Sequence, residues 1–124
     1  MVRVLAVDDD PIILRLLQLN LELEGHEVIT AADGEAGLAA VRDERPQVVL
    51  LDVMMPRMDG FEVCAAVRAD DDPDVAATPI VILSAKAQEA DVNAGLGAGA
   101  DAYVTKPFDP LELIDLVVRL AGDA

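Results

Sequence analysis

The sequence predicts an α/β fold in which helices cover both faces of an open parallel sheet. Short apolar runs alternate five times with longer stretches that carry helix signals, and right-handed crossovers then place helices on both faces. The chain has 124 residues, of which 53% are hydrophobic, and this is enough for one globular core. We therefore expect a single domain over residues 1–124.

Five apolar runs predict the strands, at residues 2–7, 27–31, 47–51, 80–83 and 102–105. They are rich in Val, Ile and Leu, and most lack polar alternation, as is typical of buried parallel strands. The first, third and fourth runs are the most continuously apolar and are expected at the centre. The second and fifth are more mixed and are expected at the edges. This predicts the strand order 2-1-3-4-5, one of the two common orders of doubly wound sheets.

Five helices are predicted between and after these strands. Aspartates that can cap a helix N-terminus open four of them: Asp10, Asp33, Asp59 and Asp109. In the first helix, Ile13, Leu16, Leu17 and Leu21 form an apolar stripe. The fourth helix, over residues 87–98, has the weakest signals, and the fifth ends at Leu120. The acidic run at 70–74 is interpreted as a solvated loop.

The charge balance limits the partners and the compartment. Lys and Arg number 9 and Asp and Glu number 24, for a net charge of −15, which disfavours direct binding to nucleic acid or to an anionic membrane. Cys64 is the single cysteine, which excludes an intramolecular disulfide and suits a reducing cytoplasm. The apolar start is too short for a secretory signal, and no stretch reaches membrane-spanning length.

Polar residues follow four of the predicted strands, at the sheet edge where ligands bind in such folds. Asp8 and Asp9 follow the first strand, Asp52 the third, Ser84 the fourth and Lys106 the fifth. Three clustered carboxylates repel one another unless a cation is bound, and their hard oxygen ligands favour Mg²⁺, with Mn²⁺ as an alternative. A carboxylate kept ionised by Mg²⁺ and lysine can act as a nucleophile, and a phosphoryl group is the group best stabilised on it.

Four sequence blocks resemble the signature blocks of the response-regulator receiver domain of two-component signalling. They are VDDDP at 7–11, LLDVMMPRMDG at 50–60, LSA at 83–85 and YVTKPF at 103–108. They occur in the family's order, and the similarity spans residues 2–121. The resemblance implies a flavodoxin-like fold similar to that of the chemotaxis receivers.

The resemblance also implies a phosphorylation site. Asp52 would accept a phosphoryl group from a sensor histidine kinase or a His-phosphotransfer protein. Asp9 would bind Mg²⁺ directly and Asp8 through a water molecule, with Asp52 and the backbone carbonyl of Met54 completing the metal site. Ser84 would hydrogen-bond the phosphoryl group.

Further implied roles concern the switch and the lifetime of the phosphoryl group. Lys106 would pair with the phosphoryl group, and its bond to Pro107 would be cis. Tyr103 would act with Ser84 as the switch, moving the face formed by the fourth helix, fifth strand and fifth helix. That face would contact a downstream protein or output domain, or a second copy after phosphorylation. Met54 and Lys86 occupy the two positions that tune dephosphorylation, and we expect a moderately long-lived phosphorylated form.

Three alternatives stay open. An aspartyl-nucleophile phosphohydrolase of the haloacid-dehalogenase type would use Asp8, although Asp52 would then be unexplained. A flavin-binding module would need a phosphate loop after the first strand, where this chain has three aspartates. A degenerate receiver would serve only for protein contact. The preferred interpretation is a signalling receiver and not an enzyme in its own right. The chain could be a stand-alone regulator or part of a longer one, and this interpretation applies to both.

Overall fold

The computed structural model describes residues 1–122 and shows a five-stranded parallel sheet. Its strands are β1 (Arg3–Val7), β2 (Glu27–Ala31), β3 (Val48–Asp52), β4 (Ile80–Ser84) and β5 (Ala102–Thr105). The strand order is β2-β1-β3-β4-β5, and every neighbouring pair is parallel. This observed order confirms the predicted one, and β2 and β5, the two strands with mixed sequences, lie at the edges as expected.

Six helices within residues 1–122 cover the sheet. They are α1 (Pro11–Leu23), α2 (Gly34–Glu44), α3 (Gly60–Arg68), α4 (Pro73–Ala76), α5 (Glu89–Gly97) and α6 (Pro110–Leu120). Alternate strand residues face opposite sides, and this divides the core into two clusters. One cluster joins the sheet to α2, α3 and α4, with Tyr103 packed against it; the other joins it to α1 and α6. None of these helices has both the length and the hydrophobicity needed to cross a membrane.

The predicted number of helices is wrong by one, because α4 begins within the acidic run. The Asp72 side chain accepts a hydrogen bond from the backbone N–H of Asp74, and Pro73 occupies the first helical position. Asp70 and Asp72 also form ion pairs with Arg42 and Arg45 of the α2 C-terminal region. The same Asp-Pro signal opens α1 and α6, so the sequence contained the information, but the surrounding charges favoured a loop.

The helix caps explain where the other helices begin. The side chains of all four predicted capping residues accept backbone hydrogen bonds: Asp10, Asp33, Asp59 and Asp109. Glu62 completes the predicted capping box with Asp59. By contrast, Gln88 makes no side-chain capping bond at the start of α5, which agrees with the weak sequence signal there.

The apolar stripe predicted for α1 is only partly directed inward. Leu17 and Leu21 are buried and Ile13 is half-buried, whereas Leu16 is 41% exposed. The helix has apolar residues on more than one face, so a single inward stripe does not describe it. The consequence is a second apolar surface on the solvent side of α1.

Candidate functional site

Three aspartates meet at the carboxyl edge of the central strands. Val7 pairs with Leu51 across β1 and β3, so the next residues, Asp8 and Asp52, come side by side. Asp8, Asp9 and Asp52 each offer one carboxylate oxygen, and these oxygens lie within 4.8 Å of one another. Asp8 and Asp52 are buried and Asp9 is exposed. The predicted convergence of the three carboxylates is therefore present.

Lys106 reaches this cluster from the end of β5. Its Nζ donates to Asp8 Oδ2 and to Asp52 Oδ1, each at 3.1 Å. Burial by itself lowers the pKa of the Lys106 ammonium, but the two carboxylate partners outweigh burial and leave that pKa above its usual value. The bond between Lys106 and Pro107 is cis, as expected.

The carboxylate of Asp52 is in an unfavourable electrostatic environment despite its lysine partner. Burial, followed by repulsion from Asp8, raises the pKa of Asp52 above its ordinary value, and Lys106 offsets this only in part. One ammonium therefore does not balance three neighbouring carboxylates. A hard divalent cation fits this all-oxygen set of donors, and exposed Asp9 lies on the solvent side of the cluster.

The two predicted tuning residues lie at the mouth of the site. Met54 and Lys86 line one open cleft together with Asp9 and Phe61. Met54 is 60% exposed, and Lys86 is also exposed. The backbone carbonyl of Met54 as a metal ligand stays a prediction.

Ser84 and Tyr103 are connected through the backbone of Lys86. Ser84 is the last residue of β4 and is fully buried; its Oγ accepts a hydrogen bond from Lys86 N at 3.1 Å. The hydroxyl of half-buried Tyr103 donates to the Lys86 carbonyl oxygen at 2.7 Å. One peptide segment thus contacts both predicted switch residues. Sequence reasoning missed this role because backbone groups leave no signal in side-chain identity.

Two glycines that were not among the predicted site residues shape the site. A Cβ on Gly60 would collide with the backbone of Asp52 and Val53, so only glycine lets α3 begin directly against the end of β3. A Cβ on Gly95 would lie 2.7 Å from Tyr103 Cδ2, so the missing side chain makes room for the tyrosine ring. Gly60 lies within the sequence block at 50–60, so its importance could have been inferred from the sequence. The role of Gly95 becomes visible only from the contact between α5 and Tyr103 of β5.

Sequence comparisons agree on one family. The family model for the response regulator receiver domain matches residues 4–118. The DNA-binding response regulator MtrA of Mycolicibacterium smegmatis is 47% identical over 112 residues, covering 90% of this chain and 47% of the relative. The alkaline phosphatase synthesis transcriptional regulatory protein PhoP of Bacillus subtilis is 47% identical over 111 residues, covering 90% of this chain and 45% of the relative. The chain thus spans about half the length of these curated relatives.

Solved structures share the fold over nearly the whole chain. The chemotaxis protein CheY4 of Vibrio cholerae has a TM-score of 0.88 at 38% identity, covering 97% of this chain and 98% of that one. A putative response regulator from Chloroflexus aurantiacus has a TM-score of 0.90 at 36% identity, with 98% of each chain covered. The described arrangement of strands and helices is therefore shared with both of these proteins.

Proposed function

Because this chain belongs to the response regulator receiver domain family of two-component systems, we propose that Asp52 reversibly accepts a phosphoryl group. The donor would be a phosphohistidine of a sensor kinase or a phosphotransfer protein. The observation that carries this proposal is the buried carboxylate of Asp52 between Lys106 and two further aspartates at the carboxyl edge. The function is signalling, with phosphorylation and dephosphorylation as the only chemistry of the chain itself.

Hydrogen bonding favours Asp52 over Asp8 as the nucleophile. Asp8 Oδ1 accepts from the backbone N–H of Asp10 at 2.9 Å, and its Oδ2 accepts from Lys106, so both oxygens are held. Among the described residues, only Lys106 donates to the Asp52 side chain, and it does so at Oδ1. Asp52 therefore keeps one oxygen for a bond to phosphorus. The alternative of an Asp8-dependent phosphohydrolase has no observation in its favour.

The transfer step follows from these roles. The free carboxylate oxygen of Asp52 attacks phosphorus, an O–P bond forms and the donor's N–P bond breaks. The imidazole nitrogen keeps the electron pair of the broken bond and takes a proton from solvent. Lys106 Nζ–H then donates to an oxygen of the transferred group. Held by Asp8, Asp9 and Asp52, Mg²⁺ would supply positive charge to offset the phosphoryl oxygens, and Mn²⁺ suits the same donors.

The switch would start at Ser84. If the Ser84 side chain rotates so that its hydroxyl donates to the new phosphoryl group, Oγ moves away from the Lys86 N–H, which then loses its acceptor, and the backbone of Lys86 is free to move. The carbonyl of Lys86, in the next peptide group along the chain, accepts from the hydroxyl of Tyr103, whose ring packs against Gly95 of α5. Phosphorylation would thus alter the face formed by α5, β5 and α6, the elements predicted as the fourth helix, fifth strand and fifth helix. We infer that this face contacts the downstream partner.

The lifetime of the phosphoryl group depends on Met54 and Lys86. Neither side chain is a carboxylate or a carboxamide that could orient a water molecule for attack on phosphorus. We expect slow loss of the phosphoryl group, and faster loss in the variant Met54→Asn, whose carboxamide would hold such a water. A wild-type half-life of seconds in purified protein with Mg²⁺ would contradict this expectation.

The experiment combines a small phosphodonor with a phosphate ester. Wild type and Asp52→Asn are incubated with phosphoramidate in Mg²⁺ or in EDTA, and intact mass is measured. Wild type should gain one phosphoryl group with Mg²⁺ only, and Asp52→Asn should gain none. Neither protein should turn over p-nitrophenyl phosphate. Unchanged uptake by Asp52→Asn, or turnover of the ester that Asp8→Asn abolishes, would replace the receiver function with the phosphohydrolase one.

A further inference from the structure

A stripe of apolar side chains runs along the solvent side of α1. Four residues form it: Ile12 (77% exposed), Leu16 (41%), Leu19 (47%) and Leu23 (82%). We call these four residues the α1 stripe. It is distinct from buried Leu17 and Leu21, which attach the helix to the sheet. The stripe extends along almost the full length of α1, about 20 Å at 1.5 Å per residue.

The spacing of the α1 stripe is that of a two-stranded coiled-coil seam. Its members are separated by four, three and four residues, so they occupy alternating d and a positions of a heptad repeat. Surface helices of monomeric proteins expose scattered apolar residues, but here they repeat in a single row. The pattern therefore fits a second helix packed alongside α1.

The charges beside the stripe indicate which helix fits. Arg15 and Glu22 are exposed, are one heptad apart and therefore lie on the same flank of the stripe. Within residues 1–122, neither side chain has an ion-pair partner. The flank thus presents one positive and one negative charge to whatever covers the stripe.

Self-complementarity appears when two copies are placed antiparallel. Around a two-fold axis, Ile12 comes opposite Leu23 of the second copy, and Leu16 opposite Leu19. The same flanks then meet, so that Arg15 lies within side-chain reach of Glu22 of the second copy, and symmetry repeats this pair. In a parallel pair, Arg15 would instead lie near Asn20 of the second copy. Opposite charges therefore meet only in the antiparallel arrangement.

We propose that α1 mediates a weak, reversible homodimer in which the α1 stripes of two copies pack antiparallel. Four side chains on one helix cover less than the roughly 800 Å² per partner of a standard interface, so association should require high protein concentration. The net charge of −15 on each copy opposes association. Salt should therefore strengthen the dimer by screening that repulsion.

The test is sedimentation equilibrium over a wide concentration range, in EDTA and without a phosphodonor, so that it does not depend on the proposed phosphorylation. Wild type should pass from monomer to dimer as concentration rises. Leu19→Gln should remain monomeric. The matched control is Leu96→Gln, an exposed leucine of α5 on the opposite face of the sheet, and it should dimerise like wild type. Circular dichroism checks that each variant is folded.

Charge reversal tests the orientation. Arg15→Glu and Glu22→Arg should each weaken the dimer about tenfold, because each replaces two attractive pairs with two repulsive ones. The double variant carrying both changes should restore wild-type association. Failure of the double variant to restore it would overturn the antiparallel pairing. A wild type that stays monomeric at every concentration, or a dimer lost on Leu96→Gln, would overturn the α1 interface.

Discussion

At the scale of single residues, Asp52 combines two requirements that oppose each other. Burial beside Asp8 makes its charged form unfavourable, while a nucleophile must be ionised. Lys106 relieves part of this conflict through its hydrogen bond to Asp52. The ionised carboxylate of Asp52 therefore lowers the stability of the protein when no cation is bound, and its surroundings favour the binding of positive charge.

The pH dependence of Asp52→Asn follows from this conflict. The pKa of Asp52 is raised in the folded state, so ionisation costs folding free energy once the pH exceeds its ordinary value near 3.8. Asp52→Asn removes that cost and should raise the free energy of unfolding by on the order of 1 kcal/mol at neutral pH. The gain should shrink as the pH falls below the raised pKa and be lost below about pH 3.8.

Urea denaturation in EDTA, from about pH 3 to about pH 8, measures this difference. The control is Asp71→Asn, which removes an exposed carboxylate from the acidic run at 70–74. Asp52→Asn that is less stable than wild type at neutral pH would show that the Lys106 bond outweighs burial and repulsion.

The residues at the carboxyl edge illustrate what a sequence can predict about a site. The carboxylates, Ser84 and Lys106 were predictable, because parallel strands bring the residues that follow them to the same edge. The link from Ser84 to Tyr103 was not, because it passes through the backbone of Lys86. The room for the tyrosine ring depends on Gly95, whose meaning appears only once α5 is packed on β5.

At the scale of secondary-structure elements, α5 contains two glycines with different roles. Gly95 is buried against Tyr103, whereas a Cβ on Gly97 would meet no atom within 4 Å. The first glycine is required by packing and the second only weakens the helix. Alanine at each position therefore separates packing from helix propensity.

Gly95→Ala should displace the Tyr103 ring, change the tyrosine fluorescence and lower the free energy of unfolding by about 1–2 kcal/mol. Tyr103 is the only tyrosine and the chain has no tryptophan, so the emission reports on this one ring. The control Gly97→Ala should leave the emission unchanged and stabilise by about 0.5 kcal/mol. Equal emission from both variants would contradict the proposed contact.

Arg68 joins several elements at the opposite edge of the sheet. Its guanidinium donates to the carbonyl oxygens of Ala76, Thr78 and Gly99. It also bonds Asp101, whose carboxylate accepts from the backbone N–H of Ile80. The side chain thus connects α3 to the segments that lead into β4 and β5.

Arg68→Met should lower the free energy of unfolding by about 2–4 kcal/mol, because several carbonyls and a carboxylate lose their donor together. Arg42→Met, which removes an exposed ion pair with Asp70, should cost only a small fraction of that loss. Chemical denaturation of both variants measures the difference. Similar losses for the two variants would mean that water replaces Arg68 as the hydrogen-bond donor to these carbonyl oxygens.

The elements themselves were predictable where hydrophobic period and capping residues agreed, as in β3 and α3. The short helix α4 was missed because five acidic and proline residues in succession suggested a solvated loop. The outward face of α1 was missed because Leu16 fits both an inward and an outward row. Only tertiary packing decides which row the sheet covers.

At the scale of the whole molecule, the net negative charge opposes folding. The acidic side chains repel one another more strongly in the compact folded state, and salt screens that repulsion. The free energy of unfolding should therefore rise between about 10 mM and about 150 mM salt. Sodium chloride and choline chloride should act alike, because choline is too large for the carboxylate cluster. An effect of sodium alone would indicate cation binding at the cluster instead of screening.

The central claim is that Asp52 carries an acyl phosphate, and borohydride trapping tests it most directly. Wild-type protein is treated with phosphoramidate and Mg²⁺, reduced with sodium borohydride, digested and analysed by mass spectrometry. Reduction of an acyl phosphate converts the aspartate to homoserine, which marks the modified residue permanently. We predict homoserine at position 52 and only in samples that contained both donor and Mg²⁺. Homoserine at position 8 or 9, or none in protein that has gained a phosphoryl group, would contradict the account.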